Sequence, residues 1–193
     1  MTGLLLRGTD LNGLPVVSIA DGEALADVKD VVYSPGRSAL LGFTLNKRGF
    51  FSGPMKDVLA YGDVAAVGRD AVMVAGSSAV TEGGEALAAV VEESGARNVL
   101  GNDALTDGGK RLGKVVDVVI EVDSGEVVGY ELTGDEGLQA HQGRPLLLPI
   151  PATMAVSGTV LMVPASVEPF IRDDLSGFGA AVSEFRDQLP QEA

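Results

Sequence analysis

Cysteine is absent from all 193 residues, which removes disulfides, thiolate zinc sites and cysteine nucleophiles in one step. Tryptophan is absent too, and aromatics make up only 5% of the chain, too few for a stacking platform that would hold single-stranded nucleic acid or sugar. Positive charge is scarce. The 14 Lys and Arg stand against 27 Asp and Glu, a formal net charge of -13 that repels phosphate backbones and anionic lipid and favours basic partners. Direct nucleic-acid binding is therefore not expected. No apolar run approaches the ~18 residues of a membrane span. The stretch Leu4, Leu5, Leu6 is too short for a signal-peptide core and follows no basic region, so a cytoplasmic location is expected.

What the chain does contain is itself, twice. Gly22, Leu25, Val28, Asp30, Val31, Val32, Gly42 and Leu45 recur, 87 residues later and without a gap, as Gly109, Leu112, Val115, Asp117, Val118, Val119, Gly129 and Leu132. An internal period decides architecture before any other signal, and this one makes the protein a tandem duplication. Each copy is small enough that packing one against the other helps both bury surface.

Within the first copy, the turn dipeptides Asn12-Gly13 and Asp21-Gly22 bracket an apolar strand over 15–19. A Val-rich strand follows over 25–33, and the turn Ser34-Pro35-Gly36 returns the chain into 39–45. Alternation there puts Ala39, Leu41, Phe43 and Leu45 on one face, and Val128, Tyr130 and Leu132 repeat it in the second copy. A tight hairpin over 64–74 is matched by 153–163 at an offset of 89, which places two extra residues in the second copy's loop between Thr133 and Pro145. Short strands, turn residues and no helix inside either copy predict a mainly β fold: two small barrels in tandem. Leu87, Val90 and Val91 fall at helical spacing within 85–93, and Phe178, Ala181, Val182, Phe185 and Leu189 form a longer apolar stripe ended by Pro190. The resulting division is a first barrel over 1–76, a linker with a short helix over 77–97, a second barrel over 98–165 and a helical tail over 166–193. The tail helix reads as one docked on its own barrel.

The successions GEALADVKDVVYSPGRSALLGFTL and YGDVAAVGRDAVMV, and GGKRLGKVVDVVIEVDSGEVVGYEL in the second copy, resemble the PRC-barrel family. That family takes its name from the cytoplasmic barrel of the photosynthetic reaction-centre H subunit and also supplies a barrel to ribosome maturation factors. The resemblance implies a six-stranded barrel, a role in protein assembly or RNA processing, and no catalysis; with the duplication, two such barrels in tandem, related by a pseudo-twofold axis, are expected. The H subunit's membrane helix and the maturation factors' distinct N-terminal domain have no counterpart here, so neither photosynthetic nor ribosomal function carries over directly.

Candidate site residues are few. His141, the only histidine, sits in a polar loop beside Asp135 and Glu136 and reads as a solvated loop residue rather than a base or metal ligand. Asp30 and Asp117 recur inside Val-rich strands, where Asp is depleted; as a pair they invite acid-base chemistry, but a carboxylate in each barrel accepting hydrogen bonds from a nearby loop's backbone amides is the simpler account. Gly22, Gly109, Gly42 and Gly129 lie in no phosphate-loop pattern and serve turns and barrel bends. Phe50 and Phe51 are adjacent, so in an extended segment one ring enters the barrel and the other faces outward; with Pro54 and Met55 they form the candidate interaction patch. No catalytic, cofactor-binding or metal-binding residue is assigned. The reading is a non-enzymatic interaction or assembly adaptor for a basic protein partner, with a homodimer compatible with it. The alternatives are a ribosome-assembly or RNA-processing adaptor acting through a ribosomal protein, and a small-molecule or metal-binding regulator with a pocket at the barrel interface.

Overall fold

The structure, a computed structural model, describes residues 3–34, 38–49, 53–83, 99–134, 145–151, 156–157 and 159–189. The first half contributes β1 (Leu5–Arg7), a one-turn helix α1 (Gly8–Leu11), β2 (Pro15–Ser18), β3 (Ala24–Ser34), β4 (Ala39–Asn46), β5 (Pro54–Ala60), β6 (Val64–Val67), β7 (Val72–Val74) and β8 (Val80–Glu82). The second contributes β9 (Asp103–Thr106), β10 (Arg111–Glu121), β11 (Glu126–Gly134), β12 (Leu146–Pro149), β13 (Val156–Ser157) and β14 (Val160–Val163), then α2 (Phe178–Gln188). The turn α1, and 3₁₀ turns such as Tyr61–Asp63, correct the expectation of no helix inside the copies.

Strand order repeats. It runs β6-β7-β2-β3-β4-β5 in the first half and β13-β14-β9-β10-β11-β12 in the second, with β7 parallel to β2 and β14 parallel to β9. Among the described residues no ladder joins β6 to β5 or β13 to β12. Each half is thus a half-barrel sheet; in the first, β8 pairs with the outer edge of β5, and Leu59 of β5 and Val67 of β6 share one core. That core runs through both halves, from Leu6 and Phe43 to Tyr130 and Phe185.

The register confirms the two insertions inferred from the offsets. Gly42 pairs with Ala60 and Gly129 with Pro149, so an offset of 87 becomes 89 between β11 and β12. Upstream the halves align at 88 instead: Gly13 and Gly101, with φ of 84° and 88°, donate their amides to Val28 and Val115. Left-handed backbone at both positions needs glycine.

Two bulges recur at matching places. In the first, Lys29 of β3 and Val116 of β10 are the extra residues, since Val28 pairs with Leu45 and Asp30 with Thr44, while Val115 pairs with Leu132 and Asp117 with Glu131. In the second, Leu41 of β4 and Val128 of β11 are extra. A bulge inserts one residue and shifts the side-chain phase behind it. Leu40, Phe43 and Leu45 therefore face the core while Leu41 does not, and Val127, Tyr130 and Leu132 face it while Val128 lies on the opposite face. This corrects the single-face alternation expected through Leu41 and Val128.

The halves meet on a pseudo-twofold axis. Ala39 of β4 pairs with Glu126 of β11, its own counterpart at the 87 offset. Leu40 N–H donates to Gly125 C=O at 2.7 Å, and Val127 N–H donates to Ser38 C=O at 2.8 Å, two bonds that exchange when the halves are exchanged. Ser38 and Gly125, also counterparts, both have positive φ, 47° and 70°.

Candidate interaction surfaces

The carboxylates that recur inside the long strands sit directly behind the first bulge. A bulge locally breaks the ladder, and each Asp takes up the next amide: Val31 N–H donates to Asp30 Oδ1 at 2.9 Å and Val118 N–H donates to Asp117 Oδ1 at 2.8 Å. There the equivalence ends. Asp30 is exposed, whereas Asp117 is 7% exposed and also accepts from Thr9 N–H at 3.2 Å and Thr9 Oγ1 at 2.5 Å. Asp117 thereby holds α1 of the first half against β10 of the second. The amides belong to the next strand residue and to α1, not to a barrel loop.

The repeated glycines have separate uses. Gly22 and Gly109 turn the chain at φ of 74° and 80°. Gly42 and Gly129 lie where a Cβ would run into the carbonyl of Leu59 or Leu148 on the neighbouring strand. At Gly129 it would also strike the Phe178 ring. Phe178 and Val182 of α2 cover Val119, Val128 and Leu147, the outward face of the second half. Phe185, on the same helix, packs against Phe170 with ring centroids 5.7 Å apart. Arg186 donates to Ile150 C=O and pairs with Glu126 at 2.8 Å.

The counterparts of that face in the first half are Val32, Leu41 and Val58; Val32 and Leu41 are partly exposed, whereas Val58 is buried. Of the expected patch, Pro54 is exposed and Met55 is partly buried against the core at the start of β5, where Asn46 pairs with Pro54. Phe50 and Phe51, His141 and the linker helix expected over 85–93 lie outside the described residues. Sequence reasoning missed four large apolar side chains at the surface: Ile19, Leu100, Val116 and Met162. Val116, 41% exposed, is turned outward by the first bulge, which alternation alone does not reveal.

Electrostatics around these surfaces is one-sided. Arg7 pairs with Glu131, Arg48 with Asp27, Lys110 with Glu168, Arg111 with Asp103 and Arg186 with Glu126, so five cations are matched by carboxylates. The Arg111 side chain, donating to Asp103, holds that carboxyl below its usual value, and the Glu23 amide does the same for Asp21. Burial pushes the phenols of Tyr33 and Tyr130 up, helped at Tyr33 by Asp117 and Asp30 and at Tyr130 by Tyr33. The Tyr130 hydroxyl is buried and finds no hydrogen-bond partner among the described residues. No cluster of metal-ligating side chains occurs among the described residues, and no described helix is long and apolar enough to cross a membrane.

Two copies of one curled sheet, joined about a dyad within one chain, define a tandem small-barrel protein. The PRC-barrel domain model matches residues 5–81 and again 91–167, and the chain belongs to that family. No curated protein matches the chain. PRC barrels are generally non-catalytic modules.

Proposed function

We propose that the chain is a non-enzymatic, cytoplasmic adaptor that recruits a basic protein partner. The observation that carries this reading is the charge: a net of -13 on a surface where at least five of the 14 cations are already matched by carboxylates. Unmatched carboxylates set up a field that steers a basic partner in, and an apolar contact then fixes it. The patch of Phe50, Phe51, Pro54 and Met55 supplies that contact. Affinity purification with the native chain and with Phe50→Ser/Phe51→Ser tests the reading: basic proteins captured by the first and lost by the second support it. Equal capture by both, or capture insensitive to salt, overturns it. The family resemblance favours a second reading, assembly of ribosomes through a ribosomal protein; recovery of immature subunits among the captured species would select it.

A further inference from the structure

The outer surface of the first sheet carries an apolar row. Ala66 of β6 pairs with Met73 of β7, Met73 with Val17 of β2, and Val17 with Ala24 of β3. Val16, Val72 and Val74 are buried, so strand alternation turns Val17 and Met73 outward; both are partly exposed and neither belongs to a core cluster. Ile19, two residues beyond Val17, is held in line with β7 by its N–H bond to Val74 C=O at 2.9 Å and is 59% exposed. The backbone does not require these side chains. Asp107 N–H donates to Val163 C=O at 2.9 Å, the same bond in the second half, so Asp107 stands in the place of Ile19. Arg111, paired with Leu105, stands in the place of Ala24. Charge runs the other way. Asp21 and Glu23 in the turn after Ile19, and Asp63 just before β6, are exposed and paired with no cation among the described residues, whereas the places of Asp21 and Glu23 in the second half are Gly108 and Lys110.

From an apolar contact that the fold does not need and carboxylates left without cations, and resting on the adaptor reading above, we propose that the outer face of β7, β2 and β3 is where a basic segment of the partner protein docks. An apolar side chain of that segment seats on Ile19, Val17 and Met73, and its Lys or Arg side chains lie among Asp21, Glu23 and Asp63. The neighbouring row of the ladder, Pro15 to Asp27 to Asn46 to Pro54, leads from this face to the exposed Pro54 of the candidate patch, so the two contacts lie on one side of the first sheet. The second half, with Asp107, Arg111 and Lys110 in the equivalent places, lacks both the apolar seat and the unpaired carboxylates, since Arg111 pairs with Asp103 and Lys110 with Glu168.

The probe is a short synthetic peptide alternating Lys with Leu, titrated into the full chain by fluorescence anisotropy at low and high salt. The decisive variant installs the second half's residues, Ile19→Asp/Ala24→Arg, which leaves the net charge unchanged and uses side chains that the equivalent backbone already carries. Loss of the apolar anchor should weaken the peptide about tenfold or more. Glu23→Lys, again the second half's residue, should weaken it about threefold and flatten its salt dependence. A peptide alternating Lys with Ser should bind far less tightly than the Lys–Leu peptide. Equal binding to the native chain and to the charge-neutral swap, equal binding of the Lys–Ser peptide, or no binding to the native chain overturns the proposal. Repeating the affinity purification with the swap separates this face from the adaptor reading. Basic proteins retained by the swapped chain leave that reading standing and remove this face, whereas a native chain that captures no basic protein removes both.

Discussion

Both halves carry the same two bulges and the same strand order, yet their outward faces have separate fates. In the second half, Val119, Val128 and Leu147 are sealed beneath Phe178 and Val182 of α2. In the first, Val32 and Leu41 hold the same places and remain partly exposed. Duplication reproduced the local backbone, including the glycine that clears each neighbouring carbonyl; it did not reproduce the environment, since α2 packs on the outward face of the second half. Equivalent positions are therefore a set of internal controls, and substitutions made in pairs measure what tertiary context adds.

The widest gap is expected between Gly125 and Ser38. Gly125→Ala puts a Cβ at a φ of 70° and into the Tyr61 ring, which is held by its hydrogen bond to Val122 C=O, and should cost about 2–4 kcal/mol. Ser38→Gly relieves a positive φ and should change stability by no more than about 1 kcal/mol. Urea unfolding checks both, and equal losses at the two sites would mean that the dyad does not place them as described. Next comes the outward face itself. Val128→Ala opens a hole under α2 and should cost about 2–3 kcal/mol, whereas Leu41→Ala should cost under about 1.5 kcal/mol although it deletes more carbon. A reversed ranking would show that something seals the first half's face as tightly as α2 seals the second.

A smaller contrast separates the two carboxylates. Asp117→Ala orphans the Thr9 amide and hydroxyl at the boundary between halves and should lower stability by about 1–3 kcal/mol, against under about 0.5 kcal/mol for Asp30→Ala. Hydrogen exchange at the amides of α1 reads the same effect locally, accelerating only in the Asp117 variant. The least costly change converts a position to its counterpart: Tyr130→Phe makes it match Phe43, removes a buried hydroxyl that has no described partner, and should leave stability unchanged or raise it by up to about 1 kcal/mol. The same burial predicts alkaline behaviour. The phenols of Tyr33, Tyr61 and Tyr130 are all raised above 10, so folding favours their protonated form. That contribution is complete below pH 10 and is lost as pH rises from there toward the folded-state values. Absorbance at 295 nm followed with circular dichroism should show tyrosine ionisation coinciding with unfolding; free titration near pH 10 in a folded chain would contradict the burial.

Much of the architecture was legible because it was written twice. The offset of 87, the change to 89 beyond Thr133 and the strands over 25–33 and 39–45 follow from counting, and the tail stripe of Phe178, Ala181, Val182 and Phe185 faces inward as its spacing predicts. The bulges were not legible, because one extra residue in a Val-rich strand leaves no compositional mark; Leu41 and Val128 look like core residues, and Val116 like any buried valine. Nor did the recurrence of Asp30 and Asp117 reveal that one would be solvated and the other would clamp α1, since Thr9 is more than a hundred residues from Asp117.

By itself the amino-acid order determined that a small β module is present twice, what its strands and turns are, and how acidic its surface is, because these depend on neighbours along the chain and on composition. Only the tertiary structure decided which carboxylate is buried, which outward face is sealed and that Ala39 meets its own counterpart. Those outcomes depend on where the dyad falls, and a dyad is a relation between distant strands that no local pattern encodes.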